Sequence, residues 1–115
     1  MHIGTDWLTF DEAKQYCIDY GSQLYTLSNS TKADALKAVT ATWNGRFWFN
    51  AHNPDFSLTE IKDLDGNVID SSFFVTFAPD DTRECVVFKD GEDIDGKDCT
   101  DEYFPICETA CVTGG

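Results

Sequence analysis

The most informative segment of the chain runs from Phe77 to Cys107 and reads FAPDDTRECVVFKDGEDIDGKDCTDEYFPIC. Two short apolar runs, Val86 to Phe88 and Tyr103 to Ile106, predict β-strands. The residues between them are polar and rich in glycine, which predicts an exposed loop. Because a cysteine lies near each end of this loop, disulfide bonding can pin it.

The same segment carries much of the negative charge. Residues 80–102 contain ten acidic and three basic residues, whereas the whole chain has a formal net charge of -13. Like charges held this close together are either well solvated or hold a cation. The charge argues against nucleic acid and anionic membrane surfaces, because phosphate recognition needs a basic face. Cationic partners or Ca²⁺ are favoured instead.

The composition predicts one folded, disulfide-bonded domain. The chain has 115 residues, of which 42% are hydrophobic and 14% aromatic, so disorder is not expected. Five cysteines indicate two disulfides and one further thiol in an oxidising compartment, with fifteen possible arrangements. No Cys-x-x-Cys pair occurs and both histidines, His2 and His52, are far from any cysteine, so no structural zinc site is expected.

The chain has neither an apolar run of membrane length nor a signal peptide. Since the cysteines indicate secretion, we expect part of a longer secreted or extracellular protein, without membrane insertion. Asn29 opens an Asn-Ser-Thr sequon, which makes it a candidate glycosylation site.

Two helices and a central strand are predicted upstream of the acidic segment. Thr9 and Glu12 have capping-box spacing, which predicts a helix from about Phe10 to Tyr20 that ends at Gly21. The predicted buried stripe of this helix consists of Phe10, Ala13, Cys17 and Tyr20. After an extended stretch at residues 23–27, Ser28 or Ser30 is expected to cap a second helix, whose buried positions are Ala33, Leu36 and Val39. The aromatic segment 46–50 predicts a strand at the centre of the core.

Residues 51–81 contain turn signals between short apolar pieces. About thirty residues with so little regular structure are unusual, and long ordered loops of this kind are usually functional. The run Asp63-x-Asp65-Gly66-Asn67 is interpreted as a hairpin turn. As a calcium loop it would have its glycine too early, and no glutamate closes it.

Taken together, these segments resemble a C-type lectin-like domain. The resemblance implies an α+β fold, stapled by disulfides, with two helices, small antiparallel sheets and a long loop region over residues 1–110, followed by a tail at 111–115. The matching segments, which also agree in order and spacing, are Leu8 to Cys17, Gly21 to Leu24, Phe47 to Ala51, Cys85 to Phe88 and Tyr103 to Glu108.

The resemblance also implies a disulfide pairing. Cys17 pairs with Cys107 and Cys85 with Cys99, which leaves Cys111 outside. Cys111 is then expected to link two copies as a disulfide-bonded homodimer, or to pair with a cysteine outside this sequence.

In this family, Ca²⁺ bound to the long loop and the following strand takes two sugar hydroxyls into its coordination shell. The resemblance transfers three possible metal ligands to this chain: Asp80, Asp95 and Glu84, with Asp81 as a further candidate. Asp80 and Asp95 would also orient the sugar. Position 96, where the family has an acid, is glycine. Ca²⁺ needs about six to eight oxygen ligands, so backbone carbonyls and water would have to complete the site.

The sequence therefore favours a recognition module over other classes of protein. One version is a calcium-dependent, carbohydrate-binding lectin, as in innate immunity and cell recognition; the other is a calcium-independent domain that binds a protein. The ligand in either case would be a glycan or protein on a cell or microbial surface. A third alternative is an acidic matrix protein that binds mineral or ice. No enzyme is expected, because no catalytic constellation is recognisable.

Overall fold

The computed structural model describes residues 2–41, 45–75, 77, 79–89 and 93–109. Within these ranges, regular structure consists of two helices, six strands and one short 3₁₀ turn. In chain order the elements are β1 (His2–Ile3), α1 (Phe10–Asp19), β2 (Ser22–Leu24), α2 (Ser30–Thr40), β3 (Arg46–His52), the 3₁₀ turn (Ser71–Phe73), β4 (Cys85–Lys89), β5 (Asp93–Lys97) and β6 (Phe104–Thr109).

The six strands form one mixed sheet. Its order is β1-β6-β3-β4-β5, and β2 also pairs with β6. All described pairings are antiparallel except that of β3 with β6, where Phe47 lies opposite Phe104. The prediction of antiparallel sheets thus missed one pairing. Strand β4 runs back along β3, and β5 runs back along β4, so β5 finishes opposite Cys85, at the end of the sheet where β3 also ends.

The prediction of an exposed loop between β4 and β6 was wrong for β5. This strand runs antiparallel to β4, with Val87 opposite Asp95. Its sequence is charged and contains a glycine, so its strand propensity is low. Backbone pairing with β4 and burial of Ile94 hold it in place instead.

Helix α1 begins as predicted. The Thr9 hydroxyl accepts a hydrogen bond from the Glu12 amide, and the Glu12 carboxylate accepts one from the Thr9 amide. The helix ends at Asp19, followed by Gly21 at φ 68°, a left-handed value that glycine adopts without strain. Tyr20 was wrongly assigned to the buried stripe. It lies beyond the last helical residue and is 63% exposed.

Helix α2 begins differently from the prediction. Its N-cap is Asn29, whose Oδ1 accepts from the Lys32 amide at 2.9 Å, so the expectation of Ser28 or Ser30 was wrong. Asparagine is as good an N-cap as serine, and local sequence does not separate them. Thr40, not Val39, completes the buried face, because seven residues make almost two full turns from Ala33.

Both disulfides implied by the resemblance are present. Cys17 bonds to Cys107 and Cys85 to Cys99, with Cα separations of 5.5 and 5.2 Å. As predicted, the aromatic strand β3 is central: Phe47 and Phe49 belong to one core cluster, and Trp48 belongs to the other. Cys111 and the tail 111–115 lie outside the described residues, so the domain boundary stays a prediction.

Candidate functional site

The long loop region between β3 and β4 is tied together at the buried side chain of Asn53. Its Oδ1 accepts from the Ser57 amide at 2.9 Å, and its Nδ2 donates to the Ser57 carbonyl at 2.8 Å and the Asp80 carbonyl at 3.3 Å. The Asn53 amide also donates to the Glu84 carbonyl at 2.6 Å. One residue thus joins the start of the loop region to its end.

The predicted hairpin turn at Asp63 is confirmed. The Asp63 Oδ1 accepts from the amides of Asp65 and Asn67 at 2.9 and 3.0 Å, and Gly66 has φ 90°. A bridge between Lys62 and Val68 closes the hairpin. The Asp63 carboxylate is therefore used to build the turn.

Asp80 lies beside β5, as the resemblance implied. A Cβ added to Gly96 would lie 2.5 Å from the Asp80 Cβ and 3.2 Å from the Arg83 Cβ. This close approach leaves no room for an acidic side chain at position 96 unless the turn moves. The sequence therefore has glycine where the family has an acid, and Arg83 packs over it.

Asp95 is engaged by two basic side chains. Its Oδ2 lies 3.2 Å from the Lys97 Nζ and 3.6 Å from the Arg46 Nε. A third cation, Arg83, reaches Asp98, with Nη1 and Oδ2 3.8 Å apart. We call Arg46, Arg83 and Lys97 the basic triad of this site.

Asp80 and Asp98 both accept hydrogen bonds from a threonine two residues later. The Asp80 Oδ1 accepts from the Thr82 hydroxyl at 2.6 Å and the Thr82 amide at 2.8 Å. These bonds, with a smaller contribution from Arg83, hold the pKa of Asp80 below its ordinary value of 3.8. Asp98 is bonded to Thr100 in the same way, by the backbone amide and the hydroxyl, and its pKa is also lowered.

These shifts predict an acid-sensitive contribution to stability. A carboxyl whose pKa is lowered by folding stabilises the fold above its unfolded pKa, and this stability is lost as the pH falls through the folded value. The window therefore lies below about pH 3.9. We expect Thr82→Val, which removes one of the two donors, to raise the Asp80 pKa and leave that of Asp98 unchanged. Carboxyl-carbon NMR titration measures both, and an unchanged Asp80 pKa would contradict the assignment.

The donor set does not fit Ca²⁺ as it stands. In the described ranges, no three Asp, Glu, His or Cys side chains form a cluster that could hold a metal. Asp80 is capped by Thr82 and Asp95 is paired with two cations, while Asp81 and Glu84 are exposed. The basic triad places positive charge next to Asp95 and Asp98. Metal binding by Asp80, Glu84, Asp95 or Asp81, and sugar binding by Asp80 or Asp95, stay predictions.

The basic triad is the feature that sequence reasoning missed. Arg83 stood out beside the acidic positions, but nothing local indicated that Arg46 would reach Asp95. A cavity of about 220 Å³ adjoins this site, lined in part by Phe56, Arg83 and Lys97. Phe56 has φ 51°, a strained value for a bulky residue, and such values often occur at functional sites.

A family model described as the Lectin C-type domain matches residues 7–109. The chain therefore belongs to the C-type lectin domain family.

Solved structures agree on the fold. TC14, a C-type lectin from the tunicate Polyandrocarpa misakiensis, superposes with a TM-score of 0.72 at 20% identity, over 92% of this chain and 93% of that one. The carbohydrate-recognition domain of the mouse scavenger receptor C-type lectin gives 0.72 at 18% identity, over 92% and 85%. The natural killer cell receptor Ly49C gives 0.62 at 17% identity, over 90% and 79%. At these identities the similarity concerns the fold alone.

Human C-type mannose receptor 2 is 33% identical over 49 residues, which is 43% of this chain. The match spans 3% of that receptor. Among the described residues, no helix has the length and apolar character needed to cross a membrane.

Proposed function

We propose that this domain is an extracellular recognition module that binds its ligand, a glycan in the first place, without calcium. The observation that carries the proposal is the pairing of Asp95 with both Arg46 and Lys97. Bound Ca²⁺ would have to displace two cations from that carboxylate or share it with them. Like charges at such distances disfavour the metal-bound state.

Arg83 strengthens the argument, because it occupies space beside both Asp80 and Gly96. A guanidinium is always protonated, so its positive charge cannot be removed by deprotonation. The Thr82 hydrogen bonds lower the pKa of Asp80 most, and Arg83 adds a smaller contribution, so its charge acts on one of the carboxylates predicted to bind the metal. The loop region is held by protein groups instead, above all by Asn53.

A glycan is the favoured ligand because of the family to which the chain belongs. The model that matches residues 7–109 is that of a lectin domain, and one structural neighbour is described as a carbohydrate-recognition domain. Members of the family are generally binding modules rather than enzymes, and we propose no catalytic role. The two disulfides are consistent with a secreted or extracellular location.

Calcium titration with a thermal-melt readout tests the proposal. We expect the melting temperature to be the same in millimolar Ca²⁺ and in EDTA. A ligand at a hundred times its Kd adds about 2.7 kcal/mol to the stability of the state that binds it. A calcium site of micromolar affinity would therefore raise the melting temperature by several degrees.

Mg²⁺ at the same concentration controls for ionic strength. A rise specific to Ca²⁺ would overturn the calcium-free mechanism. Repeating the titration on Arg83→Gln shows whether the guanidinium is responsible, since a calcium response confined to that variant would place the exclusion at Arg83.

A protein ligand is the second candidate, favoured by apolar side chains exposed on the loop region. Phe56, Leu58 and Val75 are all exposed, and Val75 is 71% exposed. Exposed apolar groups in one region are typical of protein interaction surfaces, provided that they are contiguous. Loss of a cell-surface protein partner on joint replacement of these residues by serine would favour this candidate over the glycan.

Two further predictions concern covalent attachments, at Cys111 and at Asn29, and a third concerns an alternative function. A disulfide-linked dimer through Cys111 should run at twice the monomer mass on a non-reducing gel. A glycan at Asn29 would be attached through Nδ2, which leaves Oδ1 able to cap helix α2. Adsorption to calcium carbonate or ice stays the alternative that the charge of -13 suggests, and adsorption no stronger than that of an unrelated acidic protein would count against it.

A further inference from the structure

An indole ring lies on the surface at one end of the sheet. Trp7 is 68% exposed, and its ring is tilted against that of Phe104 with the centroids 6.0 Å apart. Phe104 in turn lies 6.1 Å from the ring of the fully buried Phe47. A row of three rings therefore leads from the core to the solvent.

The backbone next to this indole is fixed by hydrogen bonds. The Leu8 amide donates to the Tyr103 carbonyl at 2.9 Å, and the Tyr103 amide donates to the Leu8 carbonyl at 2.8 Å. The Leu8 carbonyl also accepts from the Trp48 Nε1 at 2.7 Å. Trp7 precedes Leu8 and Phe104 follows Tyr103. The backbone that carries the two rings is thus fixed before any ligand arrives, which reduces the entropy lost on binding.

Next to the indole is a groove of about 340 Å³ that is lined by both aromatic and charged residues. Its lining residues are Trp7, Gly45, Arg46, Glu102, Tyr103 and Phe104. The volume is near the lower end of the range of about 300 to 1,000 Å³ for small-molecule sites, so it suits a short ligand. Arg46 supplies hydrogen-bond donors, and Glu102 supplies acceptors.

We propose that this groove binds one pyranose ring of a neutral glycan. A pyranose has C–H groups on its face and hydroxyls at its edge, so its face can cover the indole while its hydroxyls reach Arg46 and Glu102. A hydroxyl both donates and accepts, which matches a rim with one donor group and one acceptor group. The ligand class rests on the proposed function; the groove shares Arg46 with the Asp95 ion pair, but neither Asp80 nor Asp98 lines it.

Charge and shape favour a neutral sugar over the other candidates. The Arg46 Nε already faces Asp95 at 3.6 Å, Glu102 is negative, and the chain has a net charge of -13, so sulfated or acidic glycans are repelled. A proline-rich peptide needs a series of aromatic pockets along an extended groove. In this groove the exposed indole of Trp7 offers a single aromatic surface.

Binding to immobilised mannotriose, N-acetyllactosamine, cellotriose, heparin and a proline-rich peptide tests the proposal, followed by calorimetry with the best neutral sugar. We expect calcium-independent binding that Trp7→Ala weakens at least tenfold and Trp7→Phe largely retains. Ile18→Ala, a change at an exposed apolar residue of helix α1, should have no effect. Gly45→Leu should also weaken binding, because it fills the groove without removing a contact. A Cβ at position 45 would lie 3.8 Å from the Phe47 Cζ, an ordinary contact.

Each outcome separates this site from the proposed function. If sugar binding persists in EDTA and is unaffected by Trp7→Ala and Gly45→Leu, the groove is not the sugar site. Calcium-free recognition is then still supported. Binding that EDTA abolishes overturns the calcium-free function, whereas the Trp7 variants still decide on the groove. Binding only to heparin or only to the peptide overturns the assignment to a neutral sugar. No binding to any of the three neutral sugars overturns the groove and also the choice of a glycan ligand.

Discussion

Replacing Cys17 and Cys107 together by alanine is expected to lower the free energy of unfolding by about 4.5 kcal/mol. The two cysteines are 90 residues apart in sequence, and their bond joins helix α1 to strand β6. In the loop-entropy description, cross-linking about 90 residues removes that much conformational freedom from the unfolded chain. A domain of this size has about 5 to 15 kcal/mol in total, so the variant should be close to unfolding.

Urea denaturation of the oxidised protein measures the effect, and the second disulfide provides a matched control. Cys85 and Cys99 are only 14 residues apart, so their joint replacement should cost about 3 kcal/mol. Both bonds have similar Cα separations, but Cys17 and Cys107 are fully buried whereas Cys99 is only partly buried, so lost packing adds to the larger effect of the longer loop. A larger loss for the Cys85 and Cys99 variant would contradict the entropic explanation.

Trp48→Ala is expected to cost about 3 to 5 kcal/mol, the usual range for truncation of a large buried aromatic side chain. Trp48 is 0% exposed and packs edge-on against both Phe10 and Tyr103, with centroids 5.3 Å away in each case. Its Nε1 donates to the Leu8 carbonyl, so truncation also removes one of the two hydrogen bonds that this carbonyl accepts. Thermal and urea denaturation measure the loss.

Two control variants distinguish the loss of packing from the loss of the hydrogen bond and from the removal of a tryptophan as such. Trp48→Phe keeps an aromatic ring but loses the donor and part of the volume, and it should cost clearly less than Trp48→Ala. Trp7→Ala removes an exposed indole and should change stability by no more than about 0.5 kcal/mol. Equal losses for Trp7→Ala and Trp48→Ala would show that burial does not govern the effect.

Sequence reasoning succeeded where local signals were sufficient. The capping box at Thr9, the glycine after α1 and the aromatic run of β3 each specify their element within about ten residues. The disulfide pairing came from the resemblance, because counting alone left fifteen arrangements open. The resemblance also named Asp80 and Asp95 as candidate ligands, and their binding of metal or sugar stays a prediction.

The parts that were missed depend on contacts between distant segments. Strand β5 has little intrinsic preference for extended structure and exists because β4 lies beside it. The salt bridge from Arg46 to Asp95 joins residues 49 positions apart, so no local pattern contains it. The groove at Trp7 is likewise assembled from the ends of β3 and β6 and from the chain before α1. Tertiary packing, not propensity, creates each of these features.

The double attachment at Asn53 has a consequence for how such a domain can change over time. The Asn53 side chain forms hydrogen bonds with both the beginning and the end of the loop region. The residues between them therefore do not have to hold the two ends together. Insertions and replacements at the exposed positions of that stretch can alter what the surface presents while the β3–β4 frame keeps its shape, whereas Ile61, Ile69 and Phe74 are part of the core. The fold can thus stay the same while the exposed surface of the loop region varies in sequence.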